Sequence, residues 1–484
     1  MSSDLVKSSK SGLLSLMTGQ VVRFSIQILS VVLMARLLSP KDYGLTAIVI
    51  SVIALGEVVR DFGLSTSAIQ ADHLSADEKS NLFWMNSVIG LGLGLLLFSL
   101  ASPIAHFYKD DRLVEIAQVL SLTFLINGLS TQYKAGLNRE MKFKAIAMSD
   151  SLAAILSTTF GITSAFYGFA YWAIVVQYLS NYLLAFTFYI LAYKWLPSLP
   201  SFSTDMSRFT RFGMHLMASQ ILGQLARSVD TLIIGQRFST ELLGFYNRAQ
   251  QIVIMGLNQI NTPSTTLAIP VLSKLKNDEV EYQKFLKFGQ AILIHTVCLF
   301  FGLLAVNANL VVNILLGPKW SATIPLVQIL CGGAMFQIAN YSSSWIFISK
   351  GLTKEQLKFT LTSRPFVIAM IFIGSFWSME FVAVGYSAGL LFLWIYCFYF
   401  LKKQNIKVDE LFKSSIVICS TYVAATYSSI FLSRYLNLNL IVDTFFKNII
   451  YITVIMLSYA IFSRFKETFN LLFKLNFFHI LKRK

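Results

Sequence analysis

Apolar residues run along the whole chain in stretches of about 20 to 30, each closed by a short polar connection. A stretch of that length crosses the hydrocarbon core of a bilayer as a helix. In lipid only helices and closed barrels satisfy their own backbone groups. The pattern predicts helices over 13–38, 42–60, 81–107, 113–134, 145–168, 171–194, 209–237, 240–271, 285–314, 321–348, 354–376, 379–401, 412–433 and 440–462. The fold class that follows is an all-α integral membrane protein of about 14 transmembrane helices. No connection is long enough for an extramembrane domain. This argues against membrane glycosyltransferases, ligases and polymerases, which place catalytic groups in large external loops.

The basic residues sort by the parity of the connections. The N-terminal segment, the even-numbered loops and the C-terminal tail carry twenty-eight Lys and Arg. The odd-numbered loops carry six: Lys41, Lys109, Arg112, Arg237, Lys319 and Arg434. One missed helix would scramble this bias, so it supports the count. It places both termini in the cytoplasm, because short cytoplasmic loops hold the excess of Lys and Arg.

Composition agrees. Of 484 residues, 55% are hydrophobic and 13% charged, against about 25% charged in soluble domains. The net charge of +16 sits in those short loops, which removes nucleic acid as a partner. Lys7 and Lys10 resemble the start of a signal peptide, but the apolar stretch after them reaches Leu38 without an A-x-A-like site. It reads as a spanning helix. Four single cysteines in apolar segments suggest packing rather than a metal or disulfide framework. No metal cluster, cofactor signature or Walker loop is legible. After Ser463, Phe465, Phe469, Leu472 and Phe473 recur at helical spacing among lysines. That predicts a basic amphipathic tail, 463–484, on the cytoplasmic leaflet.

An internal repeat refines the plan. Leu16–Gly56 aligns without gaps on Leu216–Gly256, at an offset of 200 residues. Leu16, Met17, Gln20, Ser39, Gly44 and Gly56 match Leu216, Met217, Gln220, Ser239, Gly244 and Gly256. Ser39 is suited to cap the second helix, with Pro40 at its first position and Asp42 closing a capping box. Ser239 is suited to the same task. The parity gives both copies one orientation. The expected domains are a lobe of six helices over 1–200, a parallel second lobe of six over 201–404, two extra C-terminal helices over 405–462, and the tail. Parallel lobes with a site at their interface are a transporter plan.

Polar residues inside the spans are the candidate chemistry. The first helix carries Gln20, Arg23, Gln27 and Ser30 on one face; the seventh carries Gln220, Gln224, Arg227 and Asp230 or Thr231 at the same spacing. The eighth adds Asn247, Arg248 and Gln251, with Pro263 as an expected kink. A cation at mid-bilayer costs about 2.5–3.5 kcal/mol or more, so Arg23 and Arg227 point to a cavity facing an anion. Arg248, nearer the outer end, is equally suited to snorkelling. A lone Gln or Asn is more simply read as glue between helices. Arg227 and Asp230, three apart, are placed to pair; Asp230 is also the candidate site for a proton or sodium ion, the gradient such a transporter would draw on. Glu57 and Arg60 close the second helix, either as a gate or, more simply, as an interfacial ion cluster.

LLSPKDYGL, VVRDFGLSTSAIQ and LLGFYNRAQQ, within this plan of six, six and two helices, resemble bacterial polysaccharide transporters. These are the O-antigen and exopolysaccharide flippases of the multidrug/oligosaccharidyl-lipid/polysaccharide exporter superfamily. The resemblance covers about 10–460. It implies movement of an undecaprenyl-pyrophosphate-linked oligosaccharide across the bacterial cytoplasmic membrane by alternating access. The implied partners are that lipid-linked oligosaccharide, membrane lipids, and the polymerase and chain-length regulator of the same pathway. It also implies a cationic central cavity, to which Arg23, Arg227 and Arg248 are assigned by helix position, with Gln20, Gln27, Gln224 and Asn247 beside them. A multidrug or cation antiporter of the same fold is the alternative, but it would want an acidic interior.

Overall fold

The structure, a computed structural model, describes residues 24–61, 64, 73–201, 203–433 and 439–470. Among these the chain is helical and has no strand. The elements are α1 (Phe24–Leu37), α2 (Pro40–Asp61), α3 (Ala76–Tyr108), α4 (Arg112–Arg139), α5 (Phe143–Phe166), α6 (Trp172–Tyr193), α7 (Ser207–Arg237), α8 (Thr240–Leu275), α9 (Glu279–Val306), α10 (Ala308–Leu315), α11 (Thr323–Ser349), α12 (Thr353–Gly374), α13 (Met379–Lys403), α14 (Asp409–Ser433), α15 (Leu440–Ile461) and α16 (Ser463–Asn470). Eleven of them are long and apolar enough to cross a membrane. The chain is a multi-pass membrane protein. Two more, α7 and α8, have the length and carry Gln, Thr and Arg along it.

The local signals act as the sequence suggests. The Ser39 backbone N–H donates to Asp42 Oδ2 at 2.8 Å, and the Asp42 N–H donates back to Ser39 Oγ at 3.3 Å. This capping box starts α2 at Pro40. At the equivalent turn, the Leu242 N–H donates to Ser239 Oγ at 3.3 Å. Ser75 and Glu78 form a further box, which starts α3 at Ala76, ahead of the expected 81. The helix expected over 285–314 is two. It breaks at Asn307, whose side-chain amide donates to the Leu303 carbonyl at 2.7 Å and competes with the backbone ladder. α8 runs on through both Pro263 and Pro270.

The chain forms two compact units, Met1–Gly244 and Phe245–Lys484. α7 packs on α2 and α3 within the first unit. In the first unit α3 lies along α4, α5 along α6, and α4 against α6. α3 and α4 meet backbone to backbone: a Cβ on Gly90 would lie 2.5 Å from the Phe124 carbonyl oxygen, and one on Gly128 would lie 2.6 Å from that of Asn86. Small residues allow such approach between membrane helices. The repeated turns also meet. A Cβ on Gly44 would lie 1.6 Å from the Thr240 carbonyl oxygen, and one on Gly244 would lie 1.8 Å from that of Pro40. The glycines at repeat-equivalent positions are therefore a steric requirement of one contact.

In the second unit α9 is central, packed on α11, α14 and α16. Trp320, Tyr282, Tyr422, Tyr451 and Phe301 are fully buried there. α16 is the described start of the expected tail. Phe465 has no exposed surface and lies against His295, Tyr422 and Phe469. This turn of the tail packs on protein; 471–484, with Leu472 and Phe473, lies outside the described residues.

Candidate functional site

The expected site residues divide between the two units. Gln27, Glu57, Arg60, Gln224 and Asp230 belong to the first; Asn247 and Arg248 belong to the second. Gln20 and Arg23 lie outside the described residues, as does the side chain of Arg227 on α7.

α2 ends in a buried ion pair. Arg60, 7% exposed, holds Glu57 Oε2 through Nε at 3.1 Å. The spacing of three residues puts both side chains on one face of the helix. α4 completes the cluster: Asn127 donates its amide to Glu57 Oε2, and Arg60 Nη1 donates to Thr131 Oγ1. Asn127 and Thr131 are four apart, one turn along α4. Glu57 Oε1 is buried and has no partner among the described residues. The guanidinium and one carboxylate oxygen are thus fixed, and one acceptor remains in the interior.

A polar face on α6 continues this interior. The Gln177 amide donates to Ser30 Oγ of α1 at 2.7 Å and to Thr158 Oγ1 of α5 at 3.2 Å. The Asn181 carbonyl accepts from Ser157 Oγ at 3.4 Å. At the next positions along the helix, the Tyr178 and Tyr182 hydroxyls lie 3.4 Å apart, half-buried and within electrostatic range of Glu57. The sequence reading singled out Ser30 but not Gln177, Tyr178, Asn181 or Tyr182. Their spacing on one helical face was the available signal; it was hidden by the aromatic and apolar residues around them.

α7 presents Asp230, 1% exposed, whose Oδ1 accepts from the Thr231 backbone N–H at 2.7 Å. Gln224 donates to Ser228 Oγ at 3.0 Å on the same helix. Gln27 is exposed on α1. In the second unit Arg248, half-buried, donates to the Gln251 amide oxygen one turn along α8, and Asn247 is half-buried beside it. Among the described residues no group of His, Cys, Asp and Glu is placed to hold a metal. The arrangement offers amides, hydroxyls, a fixed guanidinium and a buried carboxylate oxygen left over from the ion pair. That set suits a polar ligand rich in hydroxyl groups.

Residues 33–325 match the model of a family described as polysaccharide biosynthesis protein. The match covers more than half of the chain. The chain belongs to the polysaccharide biosynthesis protein family. The lipopolysaccharide biosynthesis protein WzxC of Escherichia coli (strain K12) is 24% identical over 382 residues, covering 78% of this chain and 76% of that protein. The teichuronic acid biosynthesis protein TuaB of Bacillus subtilis (strain 168) is 28% identical over 301 residues, covering 61% of this chain and 62% of that protein. Among solved structures, the lipid II flippase MurJ in an inward closed conformation superposes with a TM-score of 0.73 at 13% identity, over 92% of this chain and 98% of that one. At that identity the likeness is one of fold.

Proposed function

We propose that this member of the polysaccharide biosynthesis protein family is a flippase, carrying lipid-linked oligosaccharide units across the bacterial cytoplasmic membrane for a surface polysaccharide. The observation that carries the reading is the polarity of α7 and α8. Both are long enough to span, yet each carries Gln, Thr and Arg along its length. Polar residues in spanning helices are costly unless they face a cavity or one another. With α1, these two bring the spans to fourteen, arranged as two parallel lobes of six and an extra pair, with both termini cytoplasmic.

The substrate's headgroup is a pyrophosphate followed by sugars. Arginine suits phosphate by its planar, bidentate fork; here Arg23, Arg227 and Arg248 take that part. Gln20, Gln27, Gln224 and Asn247 supply amides for sugar hydroxyls. Glu57 and Arg60 act as a gate, and Asp230 takes the coupling proton or sodium ion. Alternating access rocks one lobe against the other while the lipid tail stays in the bilayer. An exporter of cationic drugs would want a net acidic interior, and the charge of Glu57 is balanced by Arg60.

The test is a strain lacking this chain, complemented with wild type, Arg227→Ala or Arg248→Ala. Loss of surface polysaccharide with build-up of lipid-linked precursor is expected in the null strain and in both variants. Undiminished polysaccharide in the null strain would overturn the function; undiminished polysaccharide in well-expressed variants would overturn only the arginine assignment.

A further inference from the structure

The basic end of the first unit, where α3 begins and α4 and α6 end, encloses a cavity of about 330 Å³. That volume falls at the lower end of the range of small-ligand sites, about 300–1,000 Å³. Nothing in the proposed transport path uses it.

Its chemistry is cationic with one stranded donor. Lys79, Arg139, Gln132, Glu140 and Tyr193 line it. Gln132 is 1% exposed, and its amide nitrogen is buried without a hydrogen-bond partner among the described residues. A buried polar group left so costs free energy that a ligand acceptor would recover. Lys79 Nζ donates to the Tyr193 hydroxyl at 2.7 Å and stands over the rings of Tyr193 and Trp195, at 4.3 and 4.1 Å from their centroids. The Tyr193 ring is itself seated on α4: a Cβ on Gly136 would lie 2.3 Å from its Cζ. This fixes the ammonium in place. The one carboxylate, Glu140, is held by Lys142 at 2.7 Å, so the surrounding cations outnumber it.

The surroundings are those of a bilayer interface. Trp84 donates its indole N–H to the Ser198 carbonyl at 2.9 Å. Leu196 and Leu199, on either side of Pro197 and Ser198, are each 84% exposed. Aromatic rings beside exposed aliphatic side chains mark the level of lipid headgroups. We infer that this cavity binds the phosphate of a membrane lipid headgroup, held by Lys79, Arg139 and the Gln132 amide. The phosphate has two possible sources, a resident anionic phospholipid or the pyrophosphate of an incoming polyprenyl carrier. Both are lipid phosphates and meet the same donors.

The experiment uses the delipidated full-length chain in neutral detergent, so its outcome does not depend on flippase activity. Dioctanoyl phosphatidylglycerol, dioctanoyl phosphatidylcholine and farnesyl pyrophosphate are titrated separately, with binding followed by Trp fluorescence and by native mass spectrometry. Wild type is expected to bind phosphatidylglycerol, farnesyl pyrophosphate or both at least about tenfold more tightly than phosphatidylcholine. Gln132→Leu and Arg139→Gln are each expected to weaken that binding by about tenfold. Lys144→Gln, an exposed charge outside the cavity, should leave it unchanged. Preference for phosphatidylglycerol assigns the resident lipid, and preference for farnesyl pyrophosphate assigns the carrier; either supports the site. Equal binding of all three lipids overturns it. So does unchanged affinity in Arg139→Gln, which keeps the result readable if Gln132→Leu does not fold.

Discussion

At the scale of single residues, burial sets the stakes. Arg60 neutralises Glu57 inside the first unit, and both depend on α4 for their remaining bonds. Removing one partner of a buried pair leaves an uncompensated charge and costs about 3–5 kcal/mol. Arg60→Ala should therefore lower the melting temperature sharply, while Arg60→Ala with Glu57→Gln should recover much of it. A melt of Arg60→Ala equal to wild type would contradict this account of the pair. Gly44 is a second such position. Gly44→Val should abolish the folded, monodisperse protein, read by size-exclusion chromatography, because its side chain would meet the Thr240 carbonyl. Asp110 supplies a pH dependence. Its hydrogen bond to Arg112 holds the carboxyl below its ordinary value. A depressed folded value means the contribution is present above the unfolded value, about 3.9, and is lost as pH falls below it. Asp110→Asn should flatten the stability curve in that acid range alone.

At the scale of elements, α7, α8 and α16 depart from the simple apolar pattern. α7 and α8 could be recognised in the sequence because their Gln, Asn and Arg recur at helical spacing. α16 carries a different lesson. Phe465 has the spacing of a lipid-facing residue, but its ring is buried against His295 and Tyr422, with His295 Nε2 3.1 Å from Thr468 Oγ1. An amphipathic helix has one apolar stripe whether protein or lipid covers it, so periodicity cannot say which. Phe465→Ala is expected to destabilise the second unit by about 3–5 kcal/mol; an unchanged thermal melt would mean that α16 does not depend on this contact. The break at Asn307 was hidden for a similar reason. One Asn within an apolar run is tolerated in many helices, and its pairing with Asn448 at 2.8 Å comes from α15.

At the scale of the whole molecule, the bias of Lys and Arg makes the orientation testable. Single cysteines at Lys109 and Lys402, in a variant lacking the four native cysteines, should label differently from outside the cell. Only Lys109→Cys should react with an impermeant maleimide; labelling at Lys402→Cys would invert the topology. The six-identity repeat is also a whole-molecule feature. Its two turns touch through Gly44 and Thr240–Gly244, which gives a physical reason for glycine at both positions.

The sequence by itself determined the membrane class, nearly every helix, the caps at Ser39 and Ser239, and the polar character of α7 and α8. These follow from local sums: transfer free energy over about 20 residues, one capping side chain, one helical face. Tertiary structure alone decided the partners. Glu57 meets Asn127, Ser30 meets Gln177, and Lys79 rests on Tyr193 and Trp195. Each joins helices far apart in the chain. A buried polar group must be satisfied by some partner, but which one is a property of packing, and packing is settled only when all the helices are in place.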